Sequence, residues 1–314
     1  MNLLASMRYL VALDEHRHFG RAAQACHITQ PALSNALRAL EAEYGVVIVR
    51  RGRAYVGLTD EGRRVLESAQ RMLHESELLK QELRSSADAP AGSLRMGAVP
   101  TAVPLLARFA AQLQVLHPGI VPSVLSLSSQ SLEEGLVSLS LDLALGYTDR
   151  MDMQDVKLTA WSQTLEHYFL LRRADAPSGA GLQIGAPITW AQAARQPLCL
   201  LTPDMHNRTI IDQALAAAGA TVKPTIETNS VMALVHCVAT GNVGAVLPGA
   251  MVAASRSHGG LEALPLVSPA IGTPIGFMAQ EGVRPSRAME AAVALLQSPA
   301  WREQVEANSG ALSA

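Results

Sequence analysis

The sequence predicts an α/β protein headed by a small helical module, and three observations carry that prediction. The first fifty residues hold a short helix, a tight turn and a second amphipathic helix, followed by a short hairpin: a winged helix-turn-helix. Between residues 59 and 88 apolar side chains recur at alternating spacings of three and four, the signature of one long helix with a partner. From residue 94 onward, short apolar runs alternate with amphipathic stretches, which predicts repeated βα units and mainly parallel sheets.

Taken in order, the first helix buries Leu3, Met7, Leu10 and Val11, and a short helix at Arg21–Cys26 follows. Thr29 is placed to cap the next helix, with Pro31 in its first turn. On a wheel of 3.6 residues per turn, Leu33, Ala36, Leu37, Leu40 and Tyr44 of that helix form a buried stripe. The opposite face presents Pro31, Ser34, Asn35 and Arg38. Gly45 stops the helix, and Val46–Val49 and Ala54–Gly57 flank Arg50–Arg51–Gly52–Arg53 as the wing. Thr59, with Asp60 and Glu61 behind it, caps the long helix. Its seam is Gly62, Val65, Ala69, Met72, Ser76, Leu79 and Leu83, which at about 1.5 Å per residue spans roughly 40 Å.

The stretch Ser85–Gly92 reads as a linker, with a hinge at 89–93. Strands are expected at Leu94–Val99, Val121–Leu127, Leu141–Leu145, Leu198–Thr202, Val222–Thr228 and Val243–Leu247. Helices are expected at Thr101–His117, Ser129–Leu139, Arg208–Ala218 and Val231–Thr240. The region 94–314 is large for one sheet, so it divides into two lobes around a cleft: about 94–167 with 269–300, and about 168–268.

Composition sets the function classes. Hydrophobic residues make up 49% of the 314, enough for real cores, and no apolar run approaches the roughly 20 residues that cross a bilayer. No signal-peptide core opens the chain, which reads as cytoplasmic and without membrane contact. The net charge of −2 divides unevenly. Residues 1–64 carry nine Arg against six Asp and Glu, hence +3, and the remainder carries −5. The basic excess lies where phosphate contact would be made.

Asn pairs with adenine and Arg with guanine in the major groove, so Gln30, Pro31, Ser34, Asn35 and Arg38 are the expected groove contacts. Thr29, Arg50, Arg51 and Arg53 are expected near phosphate or the minor groove.

In open α/β sheets, ligands sit beyond the carboxyl ends of strands. That rule nominates Pro100 and Thr101, Ser128 and Ser129, Thr202 with His206, and Asn229 with Ser230. Hydroxyls and helix N-termini favour an anion, so a small carboxylate or similar anion is the expected effector. No HExxH, nucleophile elbow, phosphate loop or metal-spaced His/Cys cluster occurs, so neither an enzyme, a metal site nor a cofactor is expected. Two alternatives remain open: a redox-responsive transcription factor using Cys199 and Cys237, and a solute-binding protein.

The chain resembles a LysR-type transcriptional regulator. The resemblance lies in Phe19–Gly20–Arg21–Ala22–Ala23, Ile28 through Ser34, Leu40–Glu41 and Leu58–Thr59–Asp60–Glu61–Gly62. It continues in Leu141–Asp142–Leu143–Ala144–Leu145 and in Ala239 through Pro248. Leu139 departs from it, since many members carry Gly there. The resemblance implies a two-lobed effector domain like periplasmic binding proteins and a homodimer through 59–88 assembled into tetramers. It also implies promoter DNA as partner, RNA polymerase as a candidate partner, and a small molecule that alters DNA bending and activation. Thr101, Ser129 and Thr202 fall near the family's effector contacts.

Overall fold

A computed structural model describes residues 2–52, 55–85, 89–149, 157–176 and 181–312, in two compact units, 1–84 and 85–314.

The first unit opens with α1 (Leu3–His16), α2 (Phe19–Ala25) and α3 (Gln30–Tyr44). Helix α2 begins two residues earlier than the sequence pattern gives, because the His18 imidazole caps it: Nδ1 accepts from the Gly20 and Arg21 amides at 3.0 and 3.3 Å. Leu10, Leu13, Ala22, Ala23, Leu33, Leu37 and Leu40 form the core between the three helices. Tyr44 does not join that stripe. It lies on the last turn before left-handed Gly45 and is exposed, so Leu40 is the last buried member.

The wing is β1 (Val49–Arg51) paired antiparallel with β2 (Tyr55–Leu58), which draws Arg50 and Arg51 into the strand rather than the turn. Glu41 holds it in place, since its carboxylate accepts from the Ile48 and Val49 amides at 2.9 and 3.1 Å. The Leu40–Glu41 pair therefore links α3 to the wing.

Thr59 caps α4 (Asp60–Arg84), accepting from the Gly62 amide at 2.9 Å. Gly62 has no room for a side chain, because a Cβ would sit 2.2 Å from the Ile48 carbonyl oxygen. The expected seam splits in two along this helix. Gly62 and Ala69 are buried and Val65 packs on the three-helix core, while Met72, Leu79 and Leu83 are exposed. The uncovered part, Met72 to Leu83, is roughly 17 Å long at about 1.5 Å per residue.

The second unit has two lobes built on one continuous sheet. Its chain runs through β3 (Gly92–Ala98), α5 (Val103–Leu116), β4 (Ile120–Ser126), α6 (Ser129–Val137), β5 (Leu143–Tyr147) and β6 (Leu158–Arg173). Then come β7 (Gln183–Ile184), β8 (Ile188–Thr189), α7 (Trp190–Ala193), β9 (Leu198–Leu201), α8 (His206–Ala217), β10 (Ile226–Thr228) and α9 (Val231–Thr240). Last are β11 (Gly244–Pro248), α10 (Gly249–Ala254), β12 (Leu261–Val267), β13 (Gly272–Gln280), α11 (Arg287–Leu296) and α12 (Pro299–Asn308).

Strand order is β10-β9-β11-β6-β13-β5-β3-β4, with β12 also on β6. The long strand β6 belongs to both lobes. Residues Leu158 to His167 pair with β13, and Tyr168 to Leu171 pair with β11. Around the first half, Leu94, Leu106, Phe109, Leu143, Phe277 and Trp301 make one core. The second half separates two others, one holding Phe169, Leu201 and Leu247, the other Tyr168, Trp190 and Leu200.

The residues after α12 return across this junction. Gly310 accepts from the His167 amide at 3.5 Å, and Leu312 is buried in the second lobe. Gly249 lies so close that a Cβ there would meet the Gly310 carbonyl oxygen at 2.3 Å.

Two expectations need correction. The run Val222–Thr228 is a strand only from Ile226, since Pro224 has no amide to give a ladder. The helix expected from Thr101 starts at Val103, after a single 3-10 turn at Pro100–Ala102. Leu116, on the last turn of that helix, is exposed.

Candidate functional site

Two surfaces gather the residues singled out from sequence. The first is α3 with the wing. Thr29 spends its hydroxyl capping α3, accepting from the Ala32 amide at 3.4 Å, so its role is structural as well as positional. Gln30, Pro31, Asn35 and Arg38 are exposed on one face and Ser34 is half-buried among them. Arg38 donates to the Asn35 side-chain oxygen at 3.3 Å. Arg50 stands exposed opposite Gly57 in the hairpin. Arg51 lies on β1, and Arg53 falls outside the described residues.

A helix held by Leu33, Leu37 and Leu40 with hydrogen-bonding groups outward is shaped for the major groove. Arg38→Ala is expected to cost about 1–3 kcal/mol on the preferred operator and little on random duplex. Arg50→Ala should weaken both alike and lower the salt slope by about one. Band-shift titrations on both duplexes at several salt concentrations measure this. Equal losses for Arg38→Ala on the two duplexes would remove it from base reading.

The second surface is the cleft between the lobes. Parallel pairing puts the carboxyl ends of β3, β4 and β5 on one edge, Ala98 beside Ser126 and Leu145. In the other lobe Leu201 and Thr228 end side by side. Contacts across bring the two edges together. The rings of Tyr147 and His206 meet edge to face with centroids 4.8 Å apart. Thr101 is buried and its hydroxyl lies 3.3 Å from that of Tyr147, so it bonds across the cleft wall instead of capping a helix. Burial pushes the Tyr147 phenol up to about 12.

The other expected contacts divide. Ser129 Oγ and Thr202 Oγ1 are buried without a hydrogen-bond partner. Ser128 caps α6 through the Ser131 amide at 3.1 Å and Ser230 caps α9 through Ala233 at 3.3 Å, so both hydroxyls are already engaged. Asn229 is exposed, and Pro100 opens the 3-10 turn.

Asn207, named with His206 at its strand end, and two residues the sequence reading missed complete the cluster. Asn207, 4% exposed, lies beside the Tyr147 hydroxyl without a hydrogen bond of ordinary geometry to either amide atom. Glu166 on β6 is 1% exposed and accepts from the Ala250 amide at 3.3 Å; burial pushes its carboxyl up to about 8. Tyr168, two residues on, hydrogen-bonds Thr273 at 3.0 Å. Asn207 neighbours His206 in sequence and was within reach of the strand-end rule. Glu166 was not, since the polar first half of β6 shows no apolar alternation.

Arg208 offers the cleft no free charge. It is 7% exposed and bonded to Asp212 at 2.9 and 3.0 Å, to Glu227 at 2.7 Å and to the Leu201 carbonyl at 2.7 Å. Cys199 is buried on β9, and its thiol lies beside that of Cys237 on α9. Burial foremost, then Cys237, raises the Cys199 thiol to about 12. Among the described residues no group of three or more His, Cys, Asp or Glu could hold a metal ion. No helix among them is long and apolar enough to cross a membrane.

A winged helix-turn-helix ahead of a two-lobed α/β domain is the arrangement of a DNA-binding transcriptional regulator. Residues 4–63 match the bacterial regulatory helix-turn-helix protein model of the lysR family, and residues 87–300 match the LysR substrate binding domain. The chain belongs to the LysR family of transcriptional regulators. Among its relatives, the DNA-binding transcriptional dual regulator OxyR of Escherichia coli K12 is 29% identical over 289 residues, 89% of this chain and 90% of that protein. The hydrogen peroxide-inducible genes activator of Dickeya chrysanthemi is 30% identical over 276 residues, 85% of each. In fold, the chain is similar to a full-length OxyR variant from Pseudomonas aeruginosa, with TM-score 0.66 and 24% identity over 96% of this chain and 94% of that one. It is also similar to CbnR solved with its target DNA, with TM-score 0.61 and 20% identity over 93% and 97%.

Proposed function

We propose that this regulator binds promoter DNA as a homodimer through α4, itself paired into a tetramer, and that oxidation of the Cys199–Cys237 pair is its input. The observation that supports this input is that the Cys199 thiol on β9 lies beside the Cys237 thiol on α9 in the second lobe. The peroxide-inducible relatives point the same way. The two thiols have different parts. Cys199 is buried and held protonated, so Cys237, only half-buried, attacks. Its thiolate takes one oxygen of hydrogen peroxide, giving a sulfenic acid, and the released hydroxide leaves as water after protonation. The Cys199 sulfur then displaces the second water, its proton leaving with it, and the disulfide closes. Closure would tighten α9 on β9 and repack the core around Leu201 and Val238.

Peroxide treatment of the full-length protein should lower its three alkylatable thiols to one and change its affinity for its own promoter fragment. Cys237→Ser should abolish both responses. Unchanged alkylation and an unchanged footprint would end this reading.

A second reading, control by a small molecule in the cleft, is favoured by the buried polar atoms of Ser129, Thr202 and Asn207 that lack protein partners. Thr101, Tyr147 and His206 would line the same site.

A further inference from the structure

A short piece of backbone, Val46–Val49, leaves α3 after Gly45 and enters the wing, and both long helices of the first unit hold it. Glu41, one turn beyond Arg38 on α3, takes its donors. One oxygen of the Glu41 carboxylate accepts from the Ile48 and Val49 amides at 2.9 and 3.1 Å, and the Glu41 backbone carbonyl accepts from the Val46 amide at 3.1 Å. Thr59, the cap of α4, takes its acceptors. The Thr59 amide donates to the Ile48 carbonyl at 3.0 Å, and the hydroxyl donates to the Val47 carbonyl while accepting from the Gly62 amide. Gly62, without a side chain, lets the first turn of α4 lie on the Ile48 carbonyl. Ile48 is thus gripped by α3 at its N–H and by α4 at its C=O, with its side chain fully buried. Val65 and Leu66 also hold α4 on the three-helix core, but apolar packing is non-directional and resists separation more than tilt. Tilt matters because α4 is long. At about 1.5 Å per residue Leu79 lies about 30 Å beyond Thr59, so a tilt of about 6° displaces the uncovered stripe by about 3 Å, close to one base-pair step of about 3.4 Å.

We propose that Glu41 and Thr59 are positioning residues for operator recognition. By fixing the angle between α3 and α4 through Ile48, they set the separation of the two half-sites that a dimer reads. This rests on the homodimer through α4 proposed above. Neither side chain has to touch DNA, since each acts through the backbone of the wing root. A looser joint lets the two reading helices reach half-sites at several separations. Affinity for the correct spacing then falls, and the penalty for a wrong one shrinks.

The test uses the full-length protein on its own promoter fragment, on fragments with one or two base pairs inserted between the half-sites, and on a fragment with one half-site scrambled. Band shifts give the affinities, sedimentation gives the oligomeric state, and thermal unfolding shows that each variant is folded. Wild type should lose at least about tenfold in affinity on the inserted fragments. Glu41→Ala and Thr59→Val should cut that penalty to about threefold or less, while binding the scrambled fragment within about twofold of wild type. Glu41→Gln keeps the oxygen that accepts from both amides, and Thr59→Ser keeps the hydroxyl, so both should retain the wild-type penalty. A purely structural role would lower the melting temperature without moving the spacing preference. If Glu41→Ala and Thr59→Val fold, dimerise and keep the full penalty, the joint is overturned. Equal losses on every fragment overturn it too, because the two residues would then shape the reading surface itself. Indifference of wild type to spacing overturns it as well, and sedimentation of that protein as a monomer would remove the dimer reading beneath it. Should one variant fail to fold, the other carries the test.

Discussion

Leu79→Asp is expected to leave each chain folded and to abolish dimer formation. Leu79 is 57% exposed and Leu83 80% exposed, so neither contributes to the core of its own chain, and an aspartate at 79 costs the fold almost nothing. On a paired helix the same change would bury two carboxylates against each other. The uncovered stripe of Met72, Leu79 and Leu83 is short, so it has little apolar area with which to absorb that penalty. Losing the dimer also loses the gain from binding two half-sites on one duplex. The apparent operator affinity should fall by about a hundredfold or more, while a single half-site is bound as before. Sedimentation of wild type and variant, with band shifts on full and half operators, measures both. A variant that still sediments as a dimer would show that the pairing surface lies elsewhere.

Glu166→Gln should remove a loss of stability that the wild type suffers between about pH 5 and 8. Folding raises the Glu166 carboxyl from its ordinary 4.5 to about 8 through burial. A raised carboxyl favours the folded state fully while both states are protonated, below about pH 4.5. That contribution drains away as pH rises toward 8, because the unfolded chain ionises freely and the folded one does not. Its full size, from a rise of about 3.5 pH units at about 1.4 kcal/mol each, is of the order of 5 kcal/mol. Glutamine keeps the oxygen that accepts from Ala250 and carries no titrating proton. Wild type should lose stability between pH 5 and 8 relative to the variant, which should be the more stable at pH 8. Urea unfolding of both proteins across that range decides the matter. Parallel curves would mean that Glu166 is ionised in the fold at neutral pH.

The N-terminal module was readable because its rules are local. Thr29 and Thr59 cap where a hydroxyl before an apolar stripe should, and the stripe Leu33, Leu37, Leu40 is buried as its spacing requires. What it could not reveal was that Gly62, Val65 and Ala69 pack within their own chain, since a heptad pattern does not say whose helix lies opposite. The odd residue at Leu139 has a backbone reason. It sits at φ 57, the left-handed region where a glycine carries no Cβ penalty, so the turn is kept although the residue differs.

In the cleft, strand-end hydroxyls were foreseen but their roles were not. Thr101 bonds to Tyr147, a residue beyond the strand end drawn from sequence, and Ser128 and Ser230 are consumed as caps. Glu166 was invisible because its importance comes from burial at a crossing of lobes, which is a property of topology.

The strap formed by Gly310 and Leu312 has a mechanical consequence. Strand β6 crosses between the lobes beside it, and Gly310 grips the backbone at His167 where β6 changes partners. Because Leu312 is anchored in the far lobe, rotation of one lobe against the other must slide this strap or stretch it. The pivot is thus braced from outside, by a segment whose buried side chain, Leu312, shares its core with Cys199.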